Sequence, residues 1–122
     1  MRILILSLLA LLPLGAHHSF TMFDMTKKIP VTGKVTAFQW TNPHAYIEID
    51  TVDEQGAPKH WSVELGSPSI LQRSGWKFST LKPGDTVNLI INPLKTGDGG
   101  GFLFKATLSD GRVLGNGPAQ QP

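Results

Sequence analysis

The residues of this 122-residue chain best suited to chemistry are its four histidines, because it contains no cysteine to serve as thiolate nucleophile, disulfide partner or lipid-attachment site. His17 and His18 directly follow an apolar run, where an exported chain would be cut. Cleavage between Ala16 and His17 would give His17 a free α-amine beside its imidazole. Those two nitrogens can chelate one cation from a single residue, as in the histidine brace of copper proteins. Amine and imidazole are borderline ligands, and Cu(II) heads the affinity order for such sites, with zinc the next choice. A third nitrogen is available from His18, or from His44 in the segment "TNPH". The expected metal ligands are therefore His17, His18 and His44, with copper as cofactor. The competing interpretation is a polar, frayed leader whose histidines bind nothing in particular.

Whether that site can exist depends on the first sixteen residues. Met1 and Arg2 carry a positive charge, residues 3–12 are apolar apart from Ser7, and Pro13, Leu14, Gly15 and Ala16 lead to a small residue at the cut. This is the pattern of a secretory signal peptide. As a membrane anchor it is too short, since about 12 apolar residues span about 18 Å of helix against a hydrocarbon core of about 30 Å. The expectation is export of bacterial type, with a periplasmic or secreted product. What remains is long enough for one small domain with a modest core. The formal charge is +2 before Arg2 is lost, too small to mark nucleic acid or an acidic membrane as a partner.

The elements that must carry these residues are short strands. Val31, Val35 and Ala37 alternate with Thr32, Lys34 and Thr36, and Gly33 within this run suggests a bulge or tight bend. Pro43 breaks the run. A second strand then has Ala45, Ile47 and Ile49 inward and His44, Tyr46, Glu48 and Asp50 outward, and a third places Trp61, Val63 and Leu65 inward. "GSPSILQRSGW" carries helix punctuation, with Ser67 as N-cap, Pro68 at the first position, Ile70 and Leu71 buried and Gly75 as the stop. Pro83-Gly84 suits a type II turn into a strand with Val87, Leu89 and Ile91 inward. "PLKTGDGGG" reads as a mobile loop, and "FLFKATL" as a fifth strand with Phe102, Phe104, Ala106 and Leu108 on one face, turning through "SDGR" into Val113 and Leu114. Three strands, a helix and two strands is the order of a small five-stranded OB-like Greek-key barrel. The fold class is all-β with one short helix, and other small barrels or a β-sandwich share much of the same pattern. The expected organisation is signal peptide 1–16, leader 17–30, barrel 31–114 and disordered tail 115–122.

The segments "HHSF", "VTGKVTAFQWTNPHAYIEID", "HWSVELGSPSILQRSGW", "LKPGDTVNLIINP" and "SDGRVL" resemble an uncharacterised family of short exported bacterial proteins, a domain of unknown function. The resemblance covers nearly all of the chain after residue 16, with "WTNPHA" and "LKPGD" as its most specific parts. It implies export and a small β-rich domain. It carries no activity, and so no catalytic residues.

Other candidate groups have structural interpretations beside the functional ones. Trp40 and Tyr46 could form an aromatic ligand face, with Phe38 and Trp40 opposite Val35 and Ala37, although large aromatics in so small a barrel more often close its core. Glu48, Asp50 and Glu64 invite an acid/base pair, against the commoner case of a solvated face answered by Lys34, Lys59 and Lys105. His60, beside Trp61, is expected to point to solvent. No G-x-S-x-G or H-E-x-x-H occurs, and the glycine-rich loop lacks the following Lys-Ser/Thr and helix of a phosphate loop. An enzyme is disfavoured. The expected function is an exported binding module, with copper at the N-terminal histidines. The alternative is a metal-free interaction domain that docks an envelope protein through an exposed strand edge, or a glycan.

Overall fold

The computed structural model describes residues 20–117. After a 3₁₀ turn at Phe20–Met22 come β1 (Ile29–Gln39), β2 (Tyr46–Val52), β3 (Pro58–Glu64), α1 (Pro68–Arg73), β4 (Thr86–Pro93), β5 (Gly100–Thr107) and β6 (Val113–Gly115). The sheet order is β3-β2-β1-β4-β5-β6, and a parallel pairing of β3 with β5 closes it into a barrel. This is the expected OB-type architecture, with the helix between the third and fourth strands and a short sixth strand added beyond the barrel.

Alternation holds where neighbouring strands stay in register. Ile47, Ile49, Val63, Leu65, Leu89 and Ile91 are completely buried, at 0% exposure, because a period of two sends every second side chain inward. Two bulges reset it elsewhere. In β1 the register against β2 shifts between Val35 and Ala37. Ala37 consequently loses its expected place inside, and Phe38 turns to pack on the core cluster with Val35 instead of opposing it. The bulge thus falls beyond Gly33, where the sequence suggests one. Gly33 instead permits a close approach between strands, since a Cβ there would run into the backbone carbonyl of Asp50. The second shift lies between Ile90 and Ile91, which face Lys105 and Leu103. Phe104 is the extra residue, thrown outward to 47% exposure, while Leu103 and Ala106 fill the interior. The expected face of Phe102, Phe104, Ala106 and Leu108 is thereby broken.

The glycine-rich segment also departs from expectation. Gly100 and Gly101 are buried members of β5, paired with Ser62 and Val63. A Cβ at Gly101 would lie 2.6 Å from the Asn92 carbonyl oxygen and 2.7 Å from Ile91 Cδ1, and one at Gly100 would lie 2.8 Å from Leu94 Cδ1. The missing side chains therefore let β5 close the barrel against β3.

Helix α1 plugs the core with Leu71 and leaves Ile70 40% exposed, because a helix this short turns only one side to the barrel. It ends in a Schellman motif: Trp76 N donates to Leu71 O at 3.0 Å and Gly75 N to Gln72 O at 3.2 Å, with Gly75 at φ 93°. Trp76 and Leu71 meet in the core, and the indole Nε1 donates to Gly115 O at 2.8 Å. Residues 115 and 116, expected in the tail, belong to the domain: Asn116 accepts from Gly66 N at 2.7 Å and donates to Leu103 O at 2.9 Å.

Candidate functional site

The outer face of β2 and β3 carries a row of polar side chains, because Ile47, Ile49 and Val63 take the inner face. Its cross-strand pairs are Tyr46 with Glu64, Glu48 with Ser62, and Asp50 with His60. In an OB barrel this face, flanked by the β1–β2 and β4–β5 loops, is the usual ligand surface.

His60 is held at both nitrogens. Nδ1 donates to Asp50 Oδ1 at 2.6 Å and Nε2 to Glu48 Oε2 at 2.7 Å, while Ser62 Oγ donates to Glu48 Oε1 at 2.8 Å. Carboxylates only accept, so this ring carries both protons. The hydrogen bond to Asp50, then that to Glu48, raises its pKa above the ordinary 6.5. The lysines expected to answer these carboxylates do not: among the described residues Glu48 and Asp50 pair with His60, and Lys59 Nζ instead sits 4.2 Å from the centroid of Trp61.

At the other end of the face stands His44, in the loop between β1 and β2. Thr41 Oγ1 donates to the His44 carbonyl at 2.7 Å, and Ala45 pairs with β3's end through Ala45 N to Gly66 O and Leu65 N to Ala45 O. The His44 ring is half-buried, with Nδ1 2.9 Å from Leu65 O and 3.3 Å from Glu64 Oε1. Since a backbone carbonyl can only accept, Nδ1 donates to it. A carbonyl and a carboxylate gripping one ring nitrogen is the outer-sphere arrangement that orients a metal-ligating histidine.

Beside Glu64 lies an open cleft of about 280 Å³ lined by Met22, Phe23, Tyr46, Ser62, Glu64, Leu94, Gly99 and Gly101. Burial, then the Glu64 and Glu48 charges, raise the Tyr46 pKa, which keeps its phenol protonated and able to donate. The cleft's other wall comes from the leader. Phe20 packs edge-on against Phe102 at 5.1 Å, Phe23 lies tilted against the same ring at 5.6 Å and bridges to Leu94, Asp24 N donates to Pro93 O, and Lys95 N donates to Met22 O at 2.9 Å. Phe102 is in turn the β5 neighbour of Glu64.

Of the expected site residues, His44 and Tyr46 thus both neighbour Glu64, Tyr46 as its cross-strand pair and His44 through Nδ1. Trp40 does not join them; it packs partly buried against Phe38 at 5.6 Å, which touches Trp76 at 5.7 Å. His17 and His18 lie outside the described residues. Among the described residues no group of three or more His, Asp or Glu side chains is arranged to hold a metal ion, so a metal at His44 needs donors of another kind or from residues 17 and 18. Sequence reasoning missed the His60 clamp and the roles of Glu64, Met22 and Phe23. The clamp depends on the register of the β2–β3 pairing, which sets Asp50 opposite His60.

The fold defines the class as a small OB-type β-barrel. Within it, the chain belongs to a family of unknown function (DUF6152), whose family model matches residues 7–104. Comparison with curated proteins and with solved structures returned no match.

Proposed function

We propose that this protein is an exported binding module that holds copper at the His44 end of the β2–β3 face, with the α-amine and imidazole of His17, and His18, as the remaining nitrogen donors. The observation that carries the reading is the His44 ring, held at Nδ1 by Leu65 O with Glu64 alongside, the kind of outer-sphere contact that orients a metal-ligating histidine. The attachment of the leader supports it. Phe20 packs on Phe102, the β5 neighbour of Glu64.

The test is Cu(II) titration of protein purified with its native start, against the same chain carrying one extra Ala before His17 and against His44→Gln. The expected outcome is tight binding of one ion, weakened in both variants, with an intact mass that begins at His17. Micromolar or weaker affinity that the added Ala leaves unchanged, or a chain that starts at Ser19, overturns the copper reading.

A second, metal-free reading is favoured by the cleft itself. Tyr46 offers a ring face and phenol, and Ser62 and Glu64 offer polar groups to sugar hydroxyls. Protein that takes up no metal and binds envelope glycans, with loss on Tyr46→Ala, would establish it. Docking of an envelope protein along a strand edge draws less support, since β3 and β5 already pair with each other over Ser62–Glu64 and Gly100–Phe102.

A further inference from the structure

We infer that the cleft beside Glu64 binds a small primary amine, with the ammonium held by Tyr46, Ser62 and Glu64 and the apolar body lying against Met22, Phe23 and Leu94. Neither reading above supplies this ligand, and neither is needed for it.

The polar part of the cleft comes from one face of the sheet. Tyr46 and Glu64 are cross-strand partners, and Ser62 precedes Glu64 by two residues on β3, so the three side chains share a side within about 5–7 Å of one another. What they offer is mostly acceptors. A carboxylate only accepts, and Ser62 gives its one hydroxyl proton to Glu48 Oε1 at 2.8 Å, which leaves its lone pairs for the cleft. The Tyr46 phenol adds a third oxygen, and its pKa is raised by burial and then by the Glu64 and Glu48 charges, so negative potential reaches it. A primary ammonium has three N–H donors and no acceptor, the complement of that set. No lysine or arginine lines the cleft, so an anion would find no cation there.

Glu64 is only 15% exposed, and a carboxylate so far from water is costly unless it is compensated. Among the described residues its ion-pair neighbour is His44, whose Nδ1 makes its shorter contact, 2.9 Å, with Leu65 O and stands 3.3 Å from Glu64 Oε1. An ammonium in the cleft completes that compensation. A sugar hydroxyl can donate to the same oxygens, but it leaves the Glu64 charge in place, whereas an ammonium neutralises it.

The apolar part is built before any ligand arrives. Phe23 and Leu94 form a β-bridge, and Lys95 N donates to Met22 O. Met22, 46% exposed, is an unbranched and polarizable side chain that adapts to different apolar bodies. Apolar walls with a few convergent polar groups are the usual make-up of a small-molecule site, and about 280 Å³ falls near the lower end of such sites, about 300 Å³. The ligand is therefore a compact alkyl- or arylamine.

The experiment is a titration of the protein with benzylamine, followed through backbone amide NMR shifts with a metal chelator present, so that copper has no part in the readout. Benzyl alcohol, of the same shape without the charge, and glucose are titrated in parallel, and Glu64→Gln is compared with wild type. Benzylamine is expected to shift the amides of Tyr46, Glu64 and Gly101. A hydrogen bond between charged groups is worth at least about tenfold in affinity, so benzyl alcohol, and benzylamine with Glu64→Gln, should each bind weaker by that factor or more. Equal affinity for amine and alcohol, an unchanged affinity in Glu64→Gln, or shifts centred on Asp50 and His60 instead of the cleft overturns the inference. Glucose binding as tightly as benzylamine also overturns it and returns the cleft to the glycan reading. Should Glu64→Gln alter the unfolding midpoint, the wild-type comparison of amine with alcohol decides alone. The copper reading stands or falls separately, on its own Cu(II) titration.

Discussion

At the scale of single residues, His60 is the group whose protonation matters most to the β2–β3 face. Both of its nitrogens donate to carboxylates, so the folded state holds the imidazolium more tightly than the unfolded chain does. A pKa raised on folding contributes stability that is fully present below the unfolded value, near 6.5, and is lost as pH climbs through the higher folded value. Above that range the ring loses a proton, one of the two bonds goes, and Glu48 and Asp50 repel. The stability excess of wild type over His60→Gln is therefore expected to be largest in mildly acid solution and to shrink in alkali. Urea unfolding midpoints measured across that range check it; an excess that is flat or grows with pH contradicts the clamp. His60 is about half exposed, at 53%, so solvent screening keeps the whole effect modest. Little of this is visible in the chain alone. His60 reads as a surface residue beside Trp61, and its two carboxylates lie 10 and 12 positions away, on the neighbouring strand.

At the scale of elements, helix α1 and strand β5 make opposite use of local signals. The helix obeys them: Pro68 opens it, Gly75 closes it in the left-handed region, and Trp76 folds back onto Leu71. Replacing Gly75 by Ala forces a side chain into that region and should destabilise by about 1–2 kcal/mol. Leu71→Ala removes a side chain with no exposed surface and should cost about 2–5 kcal/mol. Chemical denaturation resolves both, and a Gly75 variant as costly as the Leu71 one would mean the motif does more than end the helix. Strand β5 overrides its local signal. Phe102, Leu103, Phe104 and Lys105 would alternate if left alone, but the bulge opposite Ile90 and Ile91 expels Phe104, where Lys28 Nζ covers its ring at 4.5 Å.

At the scale of the molecule, the barrel closes along one parallel seam, Ser62 to Glu64 against Gly100 to Phe102. The seam also forms one edge of the cleft, so closure and binding face are built from the same residues. A side chain at Gly101 would meet the Asn92 carbonyl, and overpacking of this kind costs about 1–3 kcal/mol. Gly101→Val is expected to lower the unfolding midpoint and to speed hydrogen exchange at Ser62 N, which donates to Gly99 O at 3.2 Å, while amides between β1 and β4 keep their protection. Uniform loss of protection would show that the seam is no separate unit; no loss would show that β5 can close without glycine.

Much of this architecture could be read from the chain itself. Alternation at Ala45, Ile47 and Ile49, at Val63 and Leu65, and at Val87, Leu89 and Ile91 defines inner faces, and the proline and glycine at either end of α1 and in the turn before β4 set the element order. These follow from side-chain period and backbone sterics, which act over a few residues. The bulges, the glycine seam, the carboxylates on His60 and the packing of Phe20 on Phe102 depend on which strand lies beside which, and that is decided only when the barrel closes. Tertiary structure therefore brought His44, Glu64 and Met22 to one side of the molecule, because contacts between residues far apart in the chain have no local period to announce them.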